Sequence, residues 1–156
     1  MARIDIPEGD QPEEVRVWSL HPKFGAAVAK LSGAIYGDSV LPPRVREAAR
    51  MRVARINNCQ VCLAFRIPGL ESAGVDEDLY ANVENLDFEG YSEQERLAIE
   101  YTERFVYDHQ RIDDAFWARM HAAFTDQEIL ELTICIGGLI ALGRTLVVLD
   151  VAHAHA

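Results

Sequence analysis

Residues 42–62 read PPRVREAARMRVARINNCQVC, and the organisation of the whole chain can be worked out from this segment. Two prolines open it, and proline suits the first turn of a helix because the missing N–H is not needed there. Apolar residues then recur at helical spacing, namely Val45, Ala48, Ala49, Val53 and Ile56. Two asparagines end this helix, and two cysteines open the next. The segment therefore predicts two consecutive helices with a CxxC motif at their junction.

Helix signals continue on both sides of this segment. Capping boxes at Ser92–Glu95 and Thr125–Glu128 each begin a helix, because the two side chains satisfy the free N–H groups of the first turn. The other signals are apolar periodicity, caps and Gly or Pro stops. The predicted helices are 22–36, 43–56, 59–66, 76–83, 93–109, 114–124 and 126–143, whereas 144–151 could be helix or strand. We predict one all-α domain over residues 1–156, with residues 1–11 as a flexible arm.

Composition excludes several classes of protein. A chain of 156 residues is typical of one domain, and 49% apolar with 26% charged residues is typical of an ordinary globular protein. A chain of this length buries enough surface to fold without a disulfide or a metal. The formal charge of −10 repels phosphate backbones and anionic lipid, so neither nucleic acid nor a membrane is an expected partner.

The cellular location follows from the apolar segments. The N-terminus, MARIDIPEGDQ, has no apolar core of a secretory signal. The most hydrophobic stretch, 132–151, is interrupted by Arg144, which is costly inside a membrane. Its glycines suggest a buried helix packed closely against neighbours. We therefore expect a cytoplasmic protein, and we expect a homo-oligomer because this stretch carries more apolar surface than one small bundle hides.

The pair Cys59 and Cys62 is the sharpest chemical signal. With two residues between them at the start of a helix, their sulfurs can meet in a reducible disulfide, and the free N–H groups there favour a thiolate. Two buried cysteines without a role are the simple alternative. Structural zinc needs two more ligands, and neither Cys135 nor the histidines show ligand spacing, so no metal is expected. A thioredoxin-like fold would need a βαβ pattern that this chain lacks.

A run of arginines surrounds the cysteines in an otherwise acidic chain. We interpret Arg44 and Arg46 as part of a solvated basic helix face. Arg52 falls on the apolar side, seven residues after Val45, so we expect it to be buried with an acidic partner.

Glu47 has two candidate partners. The simplest is Arg50, three residues on in the same helix. If the chain reverses at Asn57-Asn58, the next helix instead brings Arg66 to the level of Glu47. Arg66 also follows Cys62 by one helical turn, where its guanidinium would favour the thiolate.

These residues resemble a known family. Pro43–Glu47 (PRVRE) and Asn57–Cys62 (NNCQVC) are similar to the carboxymuconolactone decarboxylase-like superfamily, the AhpD-like proteins. The pattern of that family is a glutamate, eleven residues, C-x-x-C, three residues and a histidine. Glu47, Cys59 and Cys62 match it in type and spacing. The similarity continues through Ser92 and the FTDQEI sequence at 124–129, and covers roughly residues 41–149.

The resemblance implies an AhpD-like helical bundle assembled into dimers, trimers or hexamers. It also implies a thiol peroxidase and disulfide-exchange activity without a cofactor, acting on a small hydroperoxide or disulfide and reduced by a dithiol protein. In this scheme Cys62 attacks the peroxide, Cys59 resolves the product as a disulfide, and Glu47 takes part in proton relay.

The chain departs from the family pattern at the relay histidine, which is replaced by Arg66. A guanidinium stays charged at neutral pH and therefore cannot serve as a general acid or base. We therefore predict that Arg66 holds Glu47 and lowers the pKa of Cys62, giving a reactive thiol with weakened peroxidase turnover.

The remaining polar and aromatic candidates receive structural interpretations. His109 suits the end of a helix, and His153 and His155 lie in a terminal tail. Cys135 is expected to be an inert core thiol. The larger aromatic side chains are expected to be core or oligomer contacts rather than a substrate cage, namely Trp18, Tyr36, Phe65, Phe116 and Trp117.

Two other functions compete with the oxidoreductase. One is a carboxymuconolactone decarboxylase-like enzyme in which arginines hold a carboxylate or lactone substrate, although such chemistry needs no dithiol. The other is a non-catalytic helical oligomer, which the loss of the relay histidine would favour.

Overall fold

The structure, a computed structural model, describes residues 2–151. Within this range the chain forms helices and no β-strand, as the sequence predicts. The α-helices are α1 (Glu13–Arg16), α2 (Pro22–Gly37), α3 (Pro43–Asn57), α4 (Gln60–Ala64), α5 (Glu77–Ala81), α6 (Glu93–Asp108), α7 (Asp114–Ala123) and α8 (Asp126–Val148). Short 3-10 helices cover Val17–Leu20, Leu70–Ala73 and His109–Arg111.

Helix α3 is the centre of the fold because opposite sides of it are buried. One side packs with α6, α7 and α8 through Val45, Ala49 and Val53. The other side packs against α5 and α6 through Ala48 and Met51. Ten of the fifteen residues of α3 are buried, and three of these are the charged residues Arg46, Glu47 and Arg50.

Of the two basic residues expected on a solvated face, Arg44 is half-buried and Arg46 is buried, so that prediction is wrong. Arg44 donates from Nε to Glu95 Oε1 at 2.7 Å and from Nη2 to the carbonyl of Gly90 at 3.0 Å. Arg46 is buried. The acidic partners predicted for Arg52 are confirmed, since its guanidinium is paired with Glu103 and Glu84, although the side chain is half-buried rather than buried.

Helix α8 is longer than predicted and includes most of the segment whose sequence left helix and strand open. Leu146 packs in a cluster with Val17 and Cys59, so tertiary contact outweighs the strand preference of the neighbouring valines. By length and composition alone α8 could cross a membrane, but this is weak evidence because core helices of soluble proteins share these properties. One of its sides is packed on α3 and α6.

Both ends of the described chain meet near the end of α8. The amide of Arg3, in the expected N-terminal arm, donates to the carbonyl of Leu149 at 2.9 Å. Ala2 and Ile6 pack in the same cluster as Cys59 and Leu146. The start of the chain therefore packs against the cluster that contains Cys59.

Candidate active site

The cysteine motif lies at a tight turn between α3 and α4. Asn58 adopts a left-handed conformation with φ of 50°, which asparagine tolerates better than most residues, and the chain reverses there. Cys59 caps the N-terminus of α4, and its sulfur accepts from the amide of Cys62 at 3.3 Å. Cys59 and Cys62 form a disulfide with an S–S distance of 2.06 Å. The predicted pairing is confirmed.

The two cysteines differ in their access to solvent and ligands. Cys59 is completely buried, in the cluster formed by Val17, Leu146 and Val151. Cys62 is partly exposed and lines a cavity of about 280 Å³. A small molecule that enters this cavity can therefore reach Cys62 while its partner stays behind it.

The cavity is mostly apolar and is bordered by α1, α2, α3, α4, α8 and the 3-10 helix before α2. Its aliphatic wall includes Val28, Val53, Leu139, Leu142 and Leu146. Three of the aromatic residues expected to be core or oligomer contacts line it as well, namely Trp18, Tyr36 and Phe65. Trp18 and Tyr36 reach this wall from the 3-10 helix and α2, and Phe65 directly follows α4, so the three border the cavity of Cys62 as well as making packing contacts. Phe116 is a core residue and Trp117 packs against the same core, as expected.

Arg50 connects Glu47 to the cysteine loop. Its Nε donates to Glu47 Oε2 at 2.7 Å, so the simpler of the two predicted pairings is the one formed. Its Nη1 donates to the carbonyl of Cys62 at 2.9 Å, and its Nη2 to the carbonyl of Phe65 at 3.2 Å. One guanidinium thus fixes both a buried carboxylate and the backbone that carries Cys62.

Glu47 is completely buried beneath this arginine. Its Oε2 also accepts a hydrogen bond from the hydroxyl of Tyr80 at 3.0 Å. The other oxygen, Oε1, has no hydrogen-bond partner among the described residues, and Arg46 Nε lies 3.7 Å from it. Two buried guanidiniums therefore flank one buried carboxylate, and this three-residue cluster carries a net positive charge.

Arg66 does not hold Glu47, and that prediction is wrong. Helix α4 ends at Ala64, so the chain no longer follows a helical turn when it reaches Arg66. The guanidinium turns outward and donates to Glu77 from Nε at 2.7 Å and from Nη2 at 2.9 Å. This hydrogen bond raises the pKa of Arg66, and Glu47 makes the smallest contribution to that shift. Arg66 does not line the Cys62 cavity.

Burial raises the pKa of two further groups near the site, Tyr36 and Cys135. It raises the pKa of Tyr36 to about 12, a shift that Arg50 opposes and Glu47 reinforces. It also raises the pKa of the Cys135 thiol to about 11, so Cys135 stays protonated at neutral pH, as an inert core thiol should.

The histidines contribute little to this site. His109 is exposed in the 3-10 helix after α6 and does not line the cavity. His153 and His155 lie outside the described residues. Within residues 2–151, no group of three His, Cys, Asp or Glu side chains is arranged to hold a metal.

The fold and site can be compared with known proteins. Residues 22–104 match the model of the carboxymuconolactone decarboxylase family. The chain belongs to this family. It is 30% identical over 131 residues to YnjA, an uncharacterized protein of Escherichia coli K12. The alignment covers 83% of this chain and 72% of YnjA.

Solved structures show the AhpD-like fold of this family member. An uncharacterized peroxidase-related protein from Silicibacter superposes with a TM-score of 0.81 at 16% identity, covering 96% of this chain and 90% of that one. The Agrobacterium tumefaciens protein ATU0492, of unknown function and suggested to be the antioxidant defence protein AhpD, superposes with a TM-score of 0.77 at 19% identity over the whole of both chains. These similarities establish the fold.

Proposed function

We propose that the protein is a thiol oxidoreductase that cycles Cys59 and Cys62 between dithiol and disulfide. Its substrates in this proposal are small organic hydroperoxides or disulfides. The observation that carries the proposal is the asymmetry of the pair, because Cys62 lines an apolar cavity whereas Cys59 is buried directly behind it. Family membership and the match of Glu47, Cys59 and Cys62 to the family pattern support it further.

The peroxide reaction would proceed in two balanced steps. The Cys62 thiolate attacks the terminal oxygen of the hydroperoxide, so an S–O bond forms, the O–O bond breaks, and the leaving alkoxide takes a proton to become an alcohol. Cys59 then attacks the sulfur of the Cys62 sulfenic acid, and the departing hydroxide leaves as water with the proton of Cys59. A dithiol reductant regenerates the pair by thiol–disulfide exchange.

Arg50 takes the electrostatic role that the sequence suggested for Arg66. It lies in the cavity wall and binds the carbonyl of Cys62, so its fixed charge is close to the attacking sulfur. A nearby cation favours the thiolate, which is the reactive form of cysteine. Glu47 keeps this arginine in place through the ion pair at 2.7 Å.

The competing decarboxylase-like function receives less support. It would use arginines to hold an anionic substrate, whereas Nε, Nη1 and Nη2 of Arg50 each already donate to a protein oxygen. Leucine, valine and aromatic side chains form most of the remaining wall.

The test is the rate at which a hydroperoxide oxidises the reduced protein. In a Cys135→Ala, Trp117→Phe background, stopped-flow fluorescence can follow Trp18, which lines the same cavity as Cys62. We expect faster oxidation by tert-butyl hydroperoxide than free dithiothreitol shows, no reaction in Cys62→Ser, and a sulfenic acid trapped by dimedone in Cys59→Ser. A rate equal to that of dithiothreitol, or a reaction that survives in Cys62→Ser, would refute the proposal.

A further inference from the structure

We propose that the hydroxyl of Tyr36 protonates the oxygen that leaves when Cys62 attacks a hydroperoxide. It would replace the relay histidine that this chain lacks at position 66. This inference rests on the function proposed above and names the proton donor of that reaction.

The fold brings Tyr36 to the cavity of Cys62 from a different helix. Tyr36 belongs to α2 and Cys62 to α4, and both line the same cavity. The ring is held by two neighbours, since the centroid of Phe65 lies 5.6 Å away and the guanidinium carbon of Arg46 lies 5.9 Å from the ring centroid. A substrate in the cavity would thus meet the sulfur and a positioned phenol together.

The hydroxyl of Tyr36 has the protonation state that a donor needs. Its pKa of about 12 keeps it protonated through the physiological range. The conjugate acid of an alkoxide is an alcohol, whose pKa is similar to the ~15.7 of bulk water. The alkoxide is therefore a stronger base than the Tyr36 phenolate. Proton transfer from Tyr36 to the leaving alkoxide is therefore downhill.

Apart from Glu14, the other polar groups in or near the cavity are poorer donors. Arg50 cannot release a proton at neutral pH. Arg66 is bound to Glu77 away from the cavity, and Glu47 does not line it. Ser32 lines the cavity, but an aliphatic hydroxyl is far less acidic than a phenol. Glu14 also lines it, so the experiment must distinguish Glu14 from Tyr36.

The proposed step balances without a further reactant. The electron pair of the Cys62 thiolate forms the S–O bond, and the O–O bond breaks toward the alkoxide. The alkoxide takes the proton of the Tyr36 hydroxyl and leaves as the alcohol. The resulting phenolate regains a proton from solvent, which balances the proton released when Cys62 ionised.

The experiment compares two oxidants whose leaving groups differ in basicity. The alkoxide from tert-butyl hydroperoxide needs a proton, whereas the acetate from peracetic acid does not, because a carboxyl has a pKa of only ~4. The oxidation rate of Cys62 is measured for both oxidants in the wild type, Tyr36→Phe, Glu14→Gln and the control Tyr107→Phe, which alters an exposed phenol on α6. Alkylation by iodoacetamide monitors the thiolate itself.

Loss of general acid help is typically worth 10²–10⁴-fold. We therefore expect Tyr36→Phe to slow the tert-butyl hydroperoxide reaction by roughly 100-fold or more. Its rates with peracetic acid and iodoacetamide should match the wild type, and the control Tyr107→Phe should behave like the wild type throughout. In Glu14→Gln, which alters the cavity wall, the ratio of the tert-butyl hydroperoxide rate to the peracetic acid rate should stay that of the wild type.

Three results would overturn the inference while leaving the proposed function intact. Equal slowing of Tyr36→Phe with all three reagents would mean that Tyr36 only positions Cys62. A selective loss in Glu14→Gln would assign the donor to Glu14, and an unchanged Tyr36→Phe would exclude Tyr36. A wild type that reacts with tert-butyl hydroperoxide no faster than dithiothreitol would refute the proposed function and this inference together.

Discussion

Among the described residues, Glu47 is the charged side chain that the structure buries most completely. Its carboxylate accepts from Arg50 and Tyr80 and lies near Arg46. A buried charge is tolerable only when it is paired and hydrogen-bonded, because removing one partner leaves the other uncompensated in a poorly polarisable surrounding. The glutamate of the family pattern thus supports the fold as well as the site.

We predict that Glu47→Gln lowers the free energy of unfolding by about 3–5 kcal/mol, because Arg46 and Arg50 would then be buried without their anion. The matched control Tyr80→Phe removes only a hydrogen bond to the charged group and should cost about 1.5–3 kcal/mol. Urea denaturation measures both. A Glu47→Gln loss smaller than that of Tyr80→Phe would contradict this account of the cluster.

The buried thiol of Cys135 predicts a loss of stability in alkali. Its pKa is about 11 in the folded protein and 9.0 in its ordinary state, so between these values the unfolded chain gives up its proton first. The stabilising contribution is present below pH ~9 and is lost as the pH rises toward ~11. Between pH 8 and 11 the free energy of unfolding should decline less steeply in Cys135→Ala than in the wild type. Parallel curves for the two proteins would refute the raised pKa of Cys135.

At the scale of single residues, only local relations could be predicted. The Cys59–Cys62 pair and the Glu47–Arg50 pair join residues three apart, so their spacing suffices. Arg66 was misjudged because the prediction continued α4 for two residues beyond Ala64. The helix ends before Arg66, and Glu77 approaches its guanidinium from beyond a loop.

At the scale of elements, the helix starts were predictable because they depend on caps. Both predicted capping boxes form, with Ser92 accepting from Glu95 N and Thr125 accepting from Glu128 N. The end of α8 was not predictable, because it depends on packing of Leu146 against residues far away in the chain.

Helix α8 approaches the site closely at Gly143. A Cβ there would lie 3.0 Å from Asn57 Nδ2 and 3.4 Å from Cys62 Sγ. We predict that Gly143→Ala destabilises the protein by about 1–3 kcal/mol through overpacking. The control is Gly33→Ala in α2, where a Cβ meets no atom within 4 Å, and it should instead stabilise by about 0.4–1 kcal/mol. Thermal unfolding of both variants checks this, and a stabilising Gly143→Ala would contradict the close contact.

At the scale of the whole molecule, the cavity could not be predicted from sequence. Its walls come from six separate helices, so it exists only once α2 and α8 have packed around the cysteine turn. For this reason Tyr36 and Trp18 carried no sequence signal for the site. The packing of the whole molecule also leaves one side of α8 uncovered. On that side Leu130, Ile134 and Val148 are 61%, 49% and 66% exposed.

This exposed apolar stripe supports the expected homo-oligomer, because soluble monomers rarely leave such surfaces uncovered. We predict more than one copy per particle in light scattering at micromolar concentration. Ile134→Arg should lower the mass by placing a charge in the stripe, whereas Tyr107→Arg, at a 67% exposed position on α6, should not. A wild-type monomer, or equal masses for both variants, would contradict this interface.

The central claim is that Cys59 and Cys62 form a redox-active pair rather than a structural staple. An equilibrium titration of Cys135→Ala in dithiol–disulfide buffers, read by mass spectrometry after thiol trapping, tests it most directly. Structural disulfides lie below about −300 mV, whereas catalytic ones are more oxidising. We predict one reversible two-electron transition, at a potential above about −300 mV. A pair that stays oxidised far below that value, or that never forms a disulfide in the oxidised buffers, would contradict the claim.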